Sequence, residues 1–146
     1  NSLLANSPQC TLNRLQRVMN AAARLACHAG SRAHVSQLLQ DRLHWVRVPQ
    51  RVEYKLCLLT FKALHGMAPD YLTQLCRPCA DNVARARLRS AAHGELQVPR
   101  TSTNFGERAF AVAGPKAWNS LPATIRSIIS LPAFKTHLKT HFLFPQ

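Results

Sequence analysis

Acidic residues are scarce in this chain: six Asp and Glu stand against 19 Lys and Arg, a formal charge of +13 over 146 residues. A two-metal carboxylate site would have little to draw on. Asp41, Glu53, Asp70, Asp81, Glu95 and Glu107 are well separated, with no adjacent Asp-Asp and no His-Asp-Glu group. The chain also lacks GxGxxG, Walker A, HExxH, GxSxG and calcium-loop patterns. It therefore reads as a non-enzyme without a cofactor. No charge-depleted run reaches transmembrane length, so membrane insertion is not expected. A basic–apolar–small leader is missing too, and the chain opens on Asn1, as a processed product or a piece of a longer protein would.

Cysteine is present but does not fall into a framework. Five residues, Cys10, Cys27, Cys57, Cys76 and Cys79, are odd in number, and Cys57 lies inside an apolar run. That usage points to a reduced, intracellular chain rather than a secreted disulfide scaffold. Cys76-x-x-Cys79 has the spacing of half a tetrahedral zinc site, with His65 or His93 as further ligands. No second CxxC or HxxxH follows and Pro78 lies between the two, so the pair is a weak metal candidate and its spacing reads as fortuitous.

What the chain does have is positive charge and a greasy centre. A field of this size in one domain favours a polyanionic partner: DNA, RNA or an acidic membrane surface. The most apolar stretch is Gln50 to Leu64. At 100° per residue Val52, Leu56, Leu59 and Ala63 form one row, with Tyr54, Cys57, Phe61 and Leu64 in the flanking sectors. Only Arg51, Lys55 and Lys62 make a narrow polar stripe, so this helix needs neighbours on most of its surface. Pro49 suits its first turn, Gly66 its left-handed stop, and Pro69 bars continuation.

The length fits one domain. Residues 1–10 carry no strong period and are expected to fray, and a single helical domain spans 11–144. Thr11 can cap a helix to about Ala29, with Leu12, Leu15, Met19, Ala22, Leu25 and Ala26 inward and Arg14, Arg17 and Arg24 opposite; Gly30 ends it. A shorter helix covers Ala33 to Gln40. Trp45 reads as a core anchor rather than a base-stacking platform, and Val48, preceding Pro49, is pushed out of the α region. A short helical turn begins at Pro69 and Asp70. Residues 77–94, with Arg77, Arg85, Arg87 and Arg89, read as a basic surface loop. Glu95–Val98 offers one short extended segment. Short helices punctuated by Gly114, Pro115 and Pro122 follow, and a last helix capped by Ser130 turns Leu131, Phe134, Leu138 and Phe142 inward while Lys135, Lys139 and His141 stay outside. The expected fold is mostly α: a small helical domain with a central apolar helix, short extended segments and a basic loop.

Several segments, in order, carry a resemblance: LQRVMNAAARL at 15–25, LHWVRVPQRVEYKLCLLTFKALHGMAPDYL at 43–72, LRS at 88–90, LQVPR at 96–100, GERAFAVAGPKAWNSLP at 106–122 and LPAFKTHLKTHF at 131–142. Together they resemble the extreme C-terminal region of the LINE-type, non-LTR retrotransposon reverse transcriptase polyprotein. The family's polymerase and endonuclease domains lie upstream of this region. The resemblance implies a non-catalytic accessory domain that contacts RNA or DNA non-specifically during target-primed reverse transcription, in the nucleus or cytoplasm. Its partners would be nucleic acid and the upstream reverse transcriptase domains. The alternatives are a structural module packing against the upstream polymerase, or a non-functional remnant. Among the matching positions, Arg89, Arg100 and Arg108 suit a polyanion. With Arg85, Arg87, Arg14, Arg17 and Arg24 they make the expected nucleic-acid-binding set. The chain departs from the family at Val46-Arg47-Val48, where members commonly carry LPV, and across Asp81–Arg87, where a Pro-Ser-Arg approach to LRS is usual; a degenerate or partial copy would show such drift.

Overall fold

A computed structural model of the chain describes residues 2–81 and 94–144. Among the described residues seven α-helices make up the frame: α1 (Gln9–Ala26), α2 (Val35–Gln37), α3 (Val48–Leu64), α4 (Asp70–Thr73), α5 (Phe110–Asn119), α6 (Ala123–Arg126) and α7 (Leu131–Leu143). A π-helical turn, Leu38–Arg42, prolongs α2, and short 3-10 turns form at Ser2–Leu4, Cys79–Asp81 and Gly106–Arg108. The fold is mostly α, as expected.

Helix α3 is the centre. It touches α1, α4, α5, α7 and the Ser2–Leu4 turn, and buries Val52, Leu56, Cys57, Leu58, Thr60, Phe61 and Ala63. Its stop is the anticipated one: Gly66 has φ +65°, and Met67 N–H donates to Lys62 O at 2.8 Å while Gly66 N–H reaches Ala63 O at 3.4 Å, the paired bonds of a Schellman motif. Its start differs from expectation. Val48 is already helical despite preceding Pro49. The proline lies in the first turn, where it breaks no hydrogen bond, and the unpaired Val48 N–H is taken by Gln16 Oε1 of α1 at 2.8 Å.

The main core joins α3 to the C-terminal half. Phe61 stacks on Phe134 of α7 at 4.3 Å between ring centroids, and Trp118 of α5 lies 5.8 Å from Phe134. Contrary to the punctuated reading, α5 runs straight through Gly114 and Pro115, and both are buried. A Cβ on Gly114 would come within 2.9 Å of Phe110 Cε2 and 3.0 Å of Thr60 Oγ1. The glycine is there to let α5 press against α3. That close packing outweighs the hydrogen bond that Pro115 cannot donate.

Among the described residues the one β feature is an antiparallel bridge, Pro78 with Leu96. Cys79 N–H donates to Glu95 O (2.9 Å) and Gln97 N–H to Arg77 O (2.8 Å). On the other side Asn119 plays the part of a neighbouring strand, its Oδ1 accepting from Leu96 N and its Nδ2 donating to Leu96 O, both at 2.8 Å. Trp118 Nε1 donates to Gly94 O. The first residues of the expected 77–94 loop are thus held at 77–81; residues 82–93, with Arg85, Arg87, Arg89 and His93, lie outside the described residues.

The N-terminal half departs most from expectation. Residues 1–10 were expected to fray, but Ala5 is buried against Val52, Leu56 and Ala113, and Asn6 Nδ2 donates to Glu107 O at 3.0 Å. Helix α1 begins at Gln9 after Pro8 rather than at a Thr11 cap: proline's fixed φ sets the entry, and Thr11 N–H bonds to Pro8 O within the first turn. The helix stops at Ala26, before Gly30. His28 takes the left-handed position with φ +50°, and Ala29 N–H closes onto Arg24 O at 2.9 Å.

Candidate nucleic-acid interface

Five members of the expected arginine set, Arg14, Arg17, Arg24, Arg100 and Arg108, lie among the described residues, in differing surroundings. Arg14 and Arg17 are exposed on α1. Arg24 is half-buried instead of outward, and its Nε is buried without a hydrogen-bond partner. The reason is the rotation of α1: its inward residues are Leu12, Gln16, Met19, Asn20, Ala23 and Cys27, a face turned by about a quarter of a circle from the expected row, and Arg24 sits at its edge. Arg100 is exposed. Arg108 is also exposed but tied to the N-terminal segment, Nη2 donating to Ser7 Oγ at 3.1 Å. Arg85, Arg87 and Arg89 are outside the described residues.

The cysteine pair is built into the core. Cys76 and Cys79 are buried and unbridged, and among the described residues no three His, Cys, Asp or Glu side chains converge in a metal-holding group. Burial pushes the Cys76 thiol above its ordinary range; the neighbouring Thr60 hydroxyl favours the thiolate slightly, but without hydrogen-bond geometry. Cys57 is pushed up to about 12 by burial and then by the Glu53 charge. Its Sγ–H points at Ala117 O, 3.4 Å away. These thiols are packing groups.

A different set of cations does converge. A groove of about 540 Å³ opens between the His44–Val46 segment, the first half of α3 and the outer side of α7. Its size falls within the ~300–1,000 Å³ typical of ligand clefts. On α3, Arg51, Tyr54 and Lys55 stand at i, i+3 and i+4 and so share one face. Lys139 reaches the same groove from α7, and Trp45 and His44 form the facing wall.

That wall is placed by local geometry. The π-turn closes with Leu43 N–H on Leu38 O at 3.0 Å. His44 then reverses the chain at φ +49°, its Nδ1 2.6 Å from Gln40 O, and Trp45 N–H returns to Leu39 O at 2.7 Å. The far end of this wall is tied to α7 by Gln40 Nε2, which donates to Leu143 O at 3.1 Å. Trp45 packs one side on the Met19, Ala23 and Leu39 cluster, as an anchor should. It also lines the groove, so its anchoring in the core leaves part of the ring at that surface.

Among the described residues no carboxylate lines this groove. The ion pairs among the described residues, Lys116–Glu107 and Arg126–Glu95, leave Arg51, Lys55 and Lys139 uncommitted. Burial raises the Tyr54 phenol above its ordinary value, so at neutral pH it stays an O–H donor. Among the described residues the combination is three cations with two aromatics and no acid in the lining. Cations of this kind hold phosphates, and aromatic walls offer a surface to bases. A second cleft, about 420 Å³ between the N-terminal segment, α3 and α5, contains both Glu53 and Lys116 and lacks that bias.

Sequence reasoning did not single out this groove because it weighed arginines in the polar stretches. The α3 part was visible as Arg51, Tyr54 and Lys55 in one row beside Trp45; Lys139, 84 positions further on, joins only through tertiary packing. Comparison with known protein families, with curated proteins and with solved structures gave no match.

Proposed function

We propose that this chain is a non-catalytic accessory domain of a retrotransposon reverse transcriptase, and that it holds RNA or DNA through the phosphate backbone. The observation that carries the reading is the groove in which Arg51, Lys55 and Lys139 converge beside Trp45 and Tyr54 with no acid among its described lining residues. The overall charge of +13 supports it, and so does the resemblance across most of the chain. Its contribution would be to raise the local concentration of template or target near an upstream polymerase, not to select a sequence.

The test is binding of a labelled RNA stem-loop and a labelled single strand, titrated between 50 and 200 mM salt. The triple variant Arg51→Gln/Lys55→Gln/Lys139→Gln should weaken binding at low salt at least tenfold. Its log K against log salt should flatten by about 2–3, since each lost phosphate contact removes roughly 0.7–0.9 from the slope. Parent binding that is absent at low salt, or indifferent to salt, overturns the function. A triple variant that binds like the parent overturns the site. If the variant lacking Arg85, Arg87, Arg89, Arg100 and Arg108 is the one that loses binding, the interface belongs to that set instead.

A further inference from the structure

The rotation of α1 that buries Met19 and Ala23 and half-buries Leu12 leaves another apolar row outside. Val18 is 69% exposed, Leu25 79% and Leu15 39%, and Ala22 is exposed between them. Positions 15, 18, 22 and 25 alternate steps of three and four, the seam spacing by which one helix packs along another. Arg14 borders this row on the side away from Met19, and Arg17 lies next to it around the helix, both exposed. From Gln9 to Ala26 the helix contains no Asp or Glu.

We propose that the outer face of α1 is a docking seam for an acidic amphipathic helix of a protein partner. Three features select that occupant. The 3–4 spacing offers knobs and holes to a helix. Ala22, flanked by Ala21, makes a shallow notch at the midpoint where a partner backbone can approach closely; a lipid surface gains little from alanine. The bordering arginines ask for carboxylates on the partner's flank, and that also disfavours a second copy of this chain, which would bring like charge against them at +13 per copy. A seam from Leu15 to Leu25 spans only about 15 Å of helix. So short a contact needs the charge complementarity as well as the apolar row.

This inference stands apart from the groove, since none of Arg51, Lys55, Lys139, Trp45 and Tyr54 lies on α1. The probe is a synthetic 21-residue helical peptide with Leu at both seam positions of each heptad and Glu beside them. It is compared with a scrambled peptide of the same composition and with a version carrying Lys for Glu, by fluorescence anisotropy on the full chain at 150 mM salt. The parent should bind the seamed acidic peptide at least tenfold more tightly than either control. Val18→Gln/Leu25→Gln should abolish that preference with an unchanged circular dichroism spectrum and unchanged RNA binding. Arg14→Gln/Arg17→Gln should reduce the margin over the Lys version. Equal affinity for the scrambled peptide, or a double variant that binds the acidic peptide like the parent, overturns the proposal. Capture by phosphatidylserine vesicles that is lost in the double variant overturns it in favour of a membrane surface, and sedimentation as a dimer lost in that variant overturns it in favour of self-association.

Discussion

Helices α1 and α3 are nearly equal in length, 18 and 17 residues, and both are rich in apolar side chains. They end up in opposite situations. Helix α3 buries seven residues around most of its circumference, whereas α1 buries two, Met19 and Ala23, and presents Val18 and Leu25 outside. The difference comes from how wide the apolar arc is compared with what neighbours cover. When apolar residues surround a helix, every orientation buries it. When they fill two adjoining sectors, periodicity locates the helix but does not say which sector faces inward. The partner decides, and for α1 the partner is the α2 turn with Leu39, together with Val48 and Trp45.

The comparison is broken most directly by making one chemical change on both helices. Leu56 is buried between the N-terminal segment and α5, and Leu56→Ala should destabilise by about 2–5 kcal/mol, transfer plus cavity. Leu25→Ala removes the same atoms from a side chain already in water and should stay within about 0.5 kcal/mol. Urea denaturation of the two variants against the parent checks both. Similar losses would mean that the exposed row on α1 is covered in solution.

Stability at alkaline pH sharpens it next. The Cys57 thiol keeps its proton to about 12 in the fold, whereas an unfolded cysteine loses it near 8.5. The unfolded state therefore holds fewer protons above that pH, and stability is full below about 8.5 and falls as pH climbs toward 12. The slope from Cys57 alone is about 1.4 kcal/mol per pH unit. Cys76, raised in the same direction by burial, adds to it with the same sign. Cys57→Ala should be less stable at pH 8 yet lose stability more slowly between pH 9 and 10.5. Cys10, exposed on α1, should react with a thiol reagent at neutral pH while Cys57 stays silent.

The same contrast explains what could be read from the chain before its fold was known. The central helix was legible because Gln50–Leu64 is apolar nearly all round, with Pro49 and Gly66 as local punctuation that depends on backbone chemistry alone. The inward set of the last helix, Phe134, Leu138 and Phe142, was legible from its steps of four between polar residues. Three features were not. Gly114 and Pro115 look like breakers until Thr60 and Phe110 are placed beside them. Residues 1–10 have no period, and what holds Ala5 is a pocket made by α3 and α5. The groove depends on Lys139 meeting Arg51, and no local pattern encodes a meeting between two helices. Arg14, Arg17, Arg24, Arg100 and Arg108 were found as charges, but charge count does not say which of them share a face.

The smallest expected effect tests where α1 ends, and so which way its last turn faces. Gly30 looks like the stop, but its backbone is not left-handed and a Cβ there meets nothing within 4 Å. The left-handed residue is His28, held by Ala29 N–H on Arg24 O and by His28 N–H on Leu25 O. A non-glycine residue in that conformation costs about 1–2 kcal/mol, and glycine returns part of the gain through its freer unfolded chain, roughly 0.5–1 kcal/mol. His28→Gly should therefore stabilise by about 0.5–1 kcal/mol, a rise in Tm of roughly 2–3 °C for a domain of this size. Gly30→Ala should be neutral or slightly stabilising, because it restricts the unfolded chain at a site with room for the methyl. If Gly30 were the true stop, the pattern would invert: Gly30→Ala would cost about 1 kcal/mol and His28→Gly would weaken the helix. Differential scanning calorimetry of the two single variants separates these outcomes, and an inverted pattern would extend α1 to Ala29 and shift the last arginine and Leu25 relative to the proposed seam.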